Sequence, residues 1–310
     1  MKNLVMTGDD RDRLVRLAAF TFLQDLVNLH GEVLPAGSLR EGFLFQDHRV
    51  PLQGPQGIFK PAVMSIPLSI TTAPLVAGRE RPYDDEVGVG VLRYRYRGTD
   101  PHHRENVGLR TAMKDRLPLV YFHGIAKGQY LAQWPVFITE DDPTSLTFTV
   151  EVDDPLSVDI ESFGDQPDQA RRAYVTRLAR QRLHQLAFRH RVLRAYRESC
   201  TMCRLRHPEL LDAAHILPDS HPEGEPVTSN GLSLCKLHHA AFDRNVVGIR
   251  PDLVIEVRGD ILKEIDGPML RFGLQDLQGK KLMVVPRNEA DKPNVSFLDE
   301  RYQLFCSADS

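Results

Sequence analysis

Two pairs of metal-binding side chains lie in the second half of the sequence with the spacing of a tetrahedral zinc site. The first pair is Cys200 and Cys203, and the second is Cys235 and His238. Zinc prefers thiolate and imidazole ligands, and each half of a zinc knuckle supplies two ligands about three residues apart. The segment between the pairs fits a β-hairpin. The pattern predicts one structural Zn²⁺ that stabilises a unit with a small core. The alternative is two buried cysteines with unrelated histidines.

A further set of polar residues falls between and directly after these pairs. Ala214-His215-Ile216, Asn230 and His239 follow one another along the chain. Together with the zinc pairs, this pattern over residues 200–243 resembles the HNH nucleases, whose ββα-metal fold cuts DNA with one divalent ion. The resemblance implies that His215 is the general base that activates water, a role that suits an imidazole. It also implies that Asn230 holds the hairpin loop and orients that histidine.

The catalytic metal is expected at the helix that ends the motif. His239 and Asp243 lie four residues apart, on one helical face, so one ion could bridge both side chains and a phosphate oxygen. Many members of the family have a metal-binding residue directly before the base, where this chain has Ala214. Asp212 shares a strand face with Ala214 and is the predicted replacement ligand. Carboxylates favour Mg²⁺ or Mn²⁺ as the catalytic divalent metal.

Charge is distributed unevenly along a chain whose net charge is −3. Residues 151–170 contain seven acidic residues and no Lys or Arg, whereas residues 171–206 contain eleven Arg and one acidic residue, Glu198. A basic segment directly before a nuclease motif suits a polyanionic substrate, so it predicts double-stranded DNA as the partner. The alternative is a solvated helix face that the acidic stretch balances.

Length and composition indicate the class of protein. A chain of 310 residues with a 42% hydrophobic fraction is typical of a soluble protein with two domains. No apolar run approaches the ~18 residues of a transmembrane helix. Residues 1–22 carry Asp9, Asp10 and Asp12, unlike a secretory signal. We therefore expect a cytoplasmic protein with no membrane partner.

Hydrophobic periodicity predicts an α+β fold. Helices are expected over residues 9–30, 106–114 and 168–198, and strands near 63–66, 87–92, 93–97, 119–122, 136–138, 146–152, 246–249, 254–257 and 282–285. The tail after Asn288 is expected to be irregular. Residues 1–150 are predicted to form a mostly β DNA-recognition domain and residues 151–170 an acidic linker. Residues 171–310 are predicted to form the zinc-clamped ββα-metal domain, led by a basic helix.

Short stretches of the first 150 residues resemble segments of bacterial HNH restriction enzymes. They are residues 56–61, 82–85 and 96–100, and Asn106 with Leu109. Residues 96–122 also resemble an SRA-type (SET and RING associated) domain, with its Tyr-x-Gly turn, Asn-x-x-Leu helix start and following apolar strand. Such domains flip a modified cytosine out of the duplex. The resemblance implies an SRA/PUA-like fold for residues 1–150.

A flipped base needs aromatic stacking and hydrogen bonds to its Watson–Crick edge. For these contacts we predict stacking side chains, hydrogen-bonding carboxylates and phosphate-binding guanidinium groups. The stacking candidates are Tyr83, Tyr94, Tyr96 and Trp134, the carboxylates are Asp84 and Asp100, and the guanidinium groups are those of Arg93, Arg95 and Arg97. If residues 93–97 form a strand, the Arg share one face and the Tyr the other. The alternative is a core face of Tyr and a solvated face of Arg.

The sequence thus predicts a restriction-type DNA endonuclease that cleaves DNA containing 5-methylcytosine or 5-hydroxymethylcytosine by metal-assisted hydrolysis. A homodimer would supply two active sites for double-strand cleavage. One alternative is a sequence-specific HNH restriction enzyme acting on unmodified DNA. Another is a non-catalytic zinc-knuckle DNA-binding protein, which has no need for His215, Asn230, His239 and Asp243 together.

Overall fold

Residues 8–74, 92–153 and 169–308 are described by the structure, a computed structural model of the chain. The chain divides into two units, residues 1–183 and 184–310. Both units mix helices and strands, in agreement with the predicted α+β class. None of the described helices is long and apolar enough to cross a membrane.

The first unit is built on one large sheet. Its strands are β1 (Val33–Pro35), β2 (Phe43–Phe45), β3 (His48–Val50), β4 (Ile58–Phe59), β5 (Ser69–Thr72), β6 (Leu92–Arg95), β7 (Leu119–Ala126), β8 (Gln129–Asp142) and β9 (Thr147–Val152). Seven of these described strands form the sheet in the order β4-β5-β7-β8-β9-β6, with β1 paired to β8. The pair β5–β7 is parallel, and the other pairs are antiparallel. β2 and β3 form a separate hairpin.

The described helices of this unit before residue 169 are α1 (Gly8–His30), α2 (Ala36–Glu41) and α3 (Arg104–Lys114). One face of α1 is buried with β-strand residues because its apolar positions recur at helical spacing. The shared core includes Val15, Ala19, Leu23, Leu34, Val50, Leu52 and Phe122. The predicted helices over 9–30 and 106–114 are confirmed, and so are the strands near 119–122, 136–138 and 146–152.

The predicted strand at residues 63–66 is wrong. These residues form turns because the backbone N–H groups that a strand would pair are bound elsewhere. The Asp12 carboxylate accepts hydrogen bonds from the N–H groups of Ser65 and Ile66, each at 3.1 Å. One turn along α1, the buried Arg16 donates to the carbonyl oxygens of Pro67 and Pro118, both at 2.8 Å. Burial lowers the pKa of Arg16 to about 10, against the attraction of Asp12.

The predicted alternation at residues 93–97 is confirmed. Arg93 and Arg95 are exposed, whereas Tyr94 and Tyr96 are only 3% and 5% exposed and lie in the core. Residues 87–91, at the start of the strand expected near 87–92, lie outside the described residues.

The long basic helix is present as α4 (Gln169–Ala195). The boundary between the two units falls inside this helix. In its first part, the Thr176 hydroxyl accepts a hydrogen bond from the Val152 N–H at 2.7 Å, which ties the helix to β9. Of the predicted linker, residues 151–152 belong to β9, residues 169–170 belong to α4, and residues 154–168 lie outside the described residues.

The second unit contains small strand pairs and short helices after the second part of α4. They are β10 (Leu211–His215), β11 (Gly231–Cys235), α5 (Lys236–Asp243), β12 (Val247–Ile249), β13 (Ile255–Val257), α6 (Gly259–Lys263), α7 (Pro268–Gly273) and α8 (Val295–Ala308). β12 and β13 pair with each other, and they confirm the strands predicted near residues 246–249 and 254–257.

Two predictions for the end of the chain are wrong. Residues 282–285 do not form a strand, because the N–H groups of Met283 and Val284 donate to the carbonyl oxygen of Thr201 instead. The tail is also not irregular, since it contains α8. A Cβ on Gly248 would lie 2.5 Å from the Phe305 ring of α8. The absence of a side chain at Gly248 therefore lets α8 pack on β12.

The Asp12 and Arg16 contacts generate a prediction about stability. Arg16→Met should lower the free energy of unfolding of the first unit by about 2–4 kcal/mol, because two buried carbonyl groups lose their donor. Urea unfolding followed by Trp134, the one tryptophan of the chain, would report this unit. Arg40→Met, at an exposed position, is the control and should leave the midpoint unchanged. Equal midpoints for both variants would contradict the prediction.

Candidate active site and metal centre

The hairpin of β10 and β11 and the helix α5 assemble the chemically active residues of the second unit. The strands are antiparallel, with Leu211 opposite Cys235 and His215 opposite Gly231. α5 follows β11 directly. Gly231 is required here, because a Cβ at this position would lie 2.4 Å from the Val192 side chain of α4. The hairpin therefore packs closely against the second part of α4.

Cys200, Cys203, Cys235 and His238 converge on one point. Their ligand atoms all lie within 4.8 Å of one another, and the four cysteines of the chain form no disulfide. His238 Nδ1 lies 3.4 Å from Cys200 Sγ and 3.2 Å from Cys235 Sγ. Within the described ranges, no other set of three or more His, Cys, Asp or Glu ligand atoms gathers this closely. The cluster could hold a zinc ion, as its spacing predicted.

The surroundings of this cluster prepare it for a metal. His238 Nε2 lies 2.8 Å from the carbonyl oxygen of Gly273, so the other ring nitrogen faces the sulfur atoms. Hydrogen bonds from Cys200 and Cys203 lower the pKa of Cys235, whereas hydrogen bonds with Cys200 and Cys235 raise the pKa of Cys203, so the thiolate is favoured at Cys235.

His215 ends β10 with its ring against α4. The ring stacks on Phe188 with centroids 4.0 Å apart and an interplanar angle of 17°. Asp219 Oδ1 lies 3.0 Å from His215 Nε2, yet outside hydrogen-bonding geometry, and this buried nitrogen has no hydrogen-bond partner among the described residues. Burial lowers the pKa of His215, and His239 acts in the same direction against the carboxylates of Asp219 and Asp243. The imidazole is therefore neutral near pH 7 and able to accept a proton.

His239 lies between two carboxylates. Its Nε2 is 3.3 Å from Asp243 Oδ2, and its Nδ1 is 3.5 Å from Asp212 Oδ2. The two carboxylates thus face different nitrogens of one ring. His215 and Asp212 belong to the same strand, and Asp212 contacts His239, so β10 and α5 bring these predicted residues together.

Asp212 has two cationic neighbours, in addition to its contact with the His239 ring. Lys236 Nζ contacts Asp212 Oδ2, and Arg189 Nε lies 3.5 Å from Asp212 Oδ1. Burial alone would raise the pKa of Asp212, but Lys236 and His239 hold it below its usual value. Asp212 is therefore a charged carboxylate at the edge of the site.

Asn230 is fully buried before β11 and fastens the loop that leaves β10. Its side-chain oxygen accepts from the Leu217 N–H at 2.9 Å. Its amide donates to the carbonyl oxygens of Leu217 at 3.0 Å and Glu225 at 3.1 Å. These bonds fix the chain two residues after His215 and so limit the positions that the histidine can take.

In the first unit, the described aromatic side chains that were predicted to stack on a flipped base lie in the core or pack against it. Tyr94 and Tyr96 are core residues, and the Tyr96 hydroxyl donates to Asp141. The Arg110 guanidinium lies 5.3 Å from the Tyr96 ring centroid. Trp134 is half-buried and packs against the core that α1 shares with the sheet. The structure thus brings none of these three described rings onto an open face.

The predicted polar contacts of the first unit lie at its surface. Arg93, Arg95 and Arg97 are exposed, and Arg97 Nε lies 3.9 Å from Glu105 Oε2. Asp100 is exposed and accepts from the His102 N–H at 2.8 Å. Tyr83 and Asp84 lie outside the described residues.

Four neighbours of the site were not identified from the sequence: Phe188, Arg189, Asp219 and Lys236. Asp219 lies four residues after His215, and Lys236 lies directly after Cys235, so both had a local signal. Phe188 and Arg189 belong to α4, and only the packing of that helix on the hairpin brings them to the site.

Comparison with known proteins identifies a family for part of the chain. Residues 200–250 match the family model described as HNH endonuclease. No curated protein matches the chain. Among solved structures, the chain is similar to the "Modification dependent TagI restriction endonuclease", at 14% identity over 77% of this chain and 81% of that chain, with a TM-score of 0.30. The match at residues 200–250, on the ββα unit that joins His215, His239 and Asp243, shows that the chain carries an HNH endonuclease domain and is a DNA-cleaving nuclease.

Proposed function

We propose that this chain is a restriction-type endonuclease that hydrolyses the phosphodiester backbone of double-stranded DNA. The observation that supports this function best is the convergence of His215, His239 and Asp243 on the ββα unit. A non-catalytic zinc-knuckle protein would not need these residues together, so their convergence speaks against that alternative.

In the proposed mechanism, His215 is the general base. Its imidazole accepts a proton from water as the water oxygen attacks the phosphorus atom and the bond from phosphorus to the leaving oxygen breaks. Phe188 holds the ring by stacking, and Asn230 holds the chain that follows it. Because the pKa of His215 is lowered, the base is unprotonated at neutral pH without a further partner.

His239 and Asp243 are the proposed ligands of the catalytic ion. An imidazole nitrogen and a carboxylate oxygen lie side by side, 3.3 Å apart, and this donor set fits a divalent cation such as Mg²⁺ or Mn²⁺. A divalent ion bound there would stabilise the charge that develops on the phosphate and on the leaving oxygen.

We also propose that the Cys₃His cluster binds a structural Zn²⁺. Three segments of the second unit meet at these four side chains, and Zn²⁺ would hold them together. The ion would fix the start of α5, and with it His239 and Asp243.

The first unit is the proposed reader of modified cytosine, with an SRA/PUA-like fold. Asn106 supports the sequence resemblance, because it fastens the turn at residues 97–100 to the start of α3. Its side chain accepts from the Arg97 N–H at 2.8 Å and donates to the Asp100 carbonyl oxygen at 2.9 Å. Because Tyr94 and Tyr96 are core residues, we assign the described DNA contacts to Arg93, Arg95 and Arg97. A homodimer would place one site on each DNA strand.

The zinc proposal predicts that purified protein contains one zinc ion per chain. Cys203→Ser should lose the zinc and make residues 184–310 sensitive to proteases, because the metal replaces core packing. Metal analysis and mapping of proteolytic fragments by mass spectrometry would measure both effects. Cys306→Ser changes an exposed cysteine of α8 and should keep zinc and protease resistance. Wild-type protein that holds no zinc and resists chelators would refute the assignment.

The mechanism predicts that His215→Ala lowers the rate of plasmid nicking by ~10²–10⁴, the usual effect of removing a general base. Zinc content and DNA affinity should remain close to those of the wild type. His207→Ala, at an exposed histidine of the same unit, is the matched control and should retain activity. Nicking by His215→Ala at the wild-type rate would exclude His215 as the base.

The reader proposal predicts faster cleavage of plasmid that contains 5-methylcytosine or 5-hydroxymethylcytosine than of matched unmodified plasmid, with Mg²⁺ or Mn²⁺. The full-length His215→Ala protein should also raise the fluorescence of 2-aminopurine placed beside the modified base, since flipping unstacks it. Equal cleavage of all plasmids, with no rise in fluorescence, would favour the sequence-specific enzyme acting on unmodified DNA.

A further inference from the structure

Asp212 faces the side of the His239 ring that is turned away from Asp243. Asp212 Oδ2 lies 3.5 Å from Nδ1, and Asp243 Oδ2 lies 3.3 Å from Nε2. The lone pairs of the two ring nitrogens point in diverging directions, and each nitrogen binds a metal or a proton in its own direction. An ion shared by Nε2 and Asp243 is therefore out of reach of Asp212 in this arrangement.

The oxygens of Asp212 are also occupied by cations of the protein. Arg189 Nε lies 3.5 Å from Oδ1, and Lys236 Nζ contacts Oδ2. Arg189 is itself held in place, because it donates to the carbonyl oxygens of Pro208 at 2.7 Å and Leu211 at 2.9 Å. A carboxylate with two cationic partners is a poor ligand for a third cation, but it remains a good acceptor for an imidazole N–H.

We infer that Asp212 is a positioning residue that accepts the Nδ1–H of His239, fixes the ring and leaves the unprotonated Nε2 directed toward Asp243 and the catalytic ion. Carboxylates commonly hold metal-binding histidines in this way. Asp212 then does not replace the ligand that is missing at Ala214. The role in metal binding rests on the proposed function, whereas the tautomer of His239 can be measured without it.

The direct test is ¹⁵N NMR of histidine-labelled full-length protein with zinc bound and no added Mg²⁺ or Mn²⁺, at mildly alkaline pH where imidazoles are neutral. A His239→Gln variant assigns the signals. We expect the proton of wild-type His239 on Nδ1. Asp212→Asn should keep this tautomer, because the amide oxygen still accepts, and Asp212→Ala should lose it. A wild-type proton on Nε2 would overturn the inference, and this result needs no variant to fold.

A second measurement separates positioning from ligation. Asp212→Ala should weaken Mn²⁺ binding by about 10–100-fold, the usual effect of losing a partner of a metal-binding histidine. The number of waters on bound Mn²⁺, measured by ¹⁷O broadening of its EPR lines, should not change. One additional water in Asp212→Ala would show that Asp212 is a ligand and refute the inference. Asp252→Asn, at an exposed carboxylate of the same unit, is the control and should leave both values unchanged.

These results also distinguish failure of the inference from failure of the proposed function. If the wild type and its variants show the expected tautomers while Mn²⁺ neither binds nor supports cleavage, the proposed function fails and the contact between Asp212 and His239 stands. If Mn²⁺ binds and DNA is cut while Asp212→Ala leaves the tautomer unchanged, the nuclease stands and the positioning role is wrong.

Discussion

The second unit depends on the meeting of four side chains, Cys200, Cys203, Cys235 and His238, at one point. They come from the turn after α4, the end of β11 and the first turn of α5. The hairpin and α5 pack into a core that also includes Cys200, Cys235 and residues of α4 and α8. A zinc ion at this point would join these segments to one another. The hairpin and α5 supply two residues of this cluster, and the carbonyl oxygen of Gly273 contacts its His238.

Two adjacent residues of α5 belong to different sites, one to the Cys₃His cluster and the other to the proposed nuclease site. His238 is 2% exposed and faces the sulfur atoms, whereas His239 faces Asp212 and Asp243. Consecutive residues of an α-helix point about 100° apart, since the helix has 3.6 residues per turn. Whatever fixes His238 therefore also fixes the direction of His239. The Cys₃His cluster and the nuclease site are therefore positioned by the same helix, although they would hold different metals.

The basic segment contributes more to the fold than its charge suggests. Arg189 donates to two carbonyl oxygens beside β10, Arg191 donates to that of Pro226 at 2.8 Å, and Arg197 donates to that of Val285 at 3.2 Å. Loops around a small hairpin leave many carbonyl groups without backbone partners, and a guanidinium group can satisfy several of them. Arg189, Arg191 and Arg197 therefore use N–H groups to hold the fold, although each keeps its charge.

The sequence by itself determined the residues that carry local signals. Ligand pairs three residues apart, the spacing of His239 and Asp243, the alternation of Arg and Tyr over residues 93–97 and the helical stripe of α1 all follow from the periods of strands and helices. Tertiary structure decided whatever depends on distant segments. The Asp12 carboxylate accepts hydrogen bonds from the N–H groups of residues 65 and 66, and the Thr201 carbonyl oxygen accepts them from residues 283 and 284. These N–H groups are therefore not available for strand pairing. The packing of α4 brings Phe188 to His215, and the partners of Asp212 place it on Nδ1 of His239. Periodicity indicates which face a residue occupies, but it carries no information about which distant hydrogen-bonding partner contacts that residue.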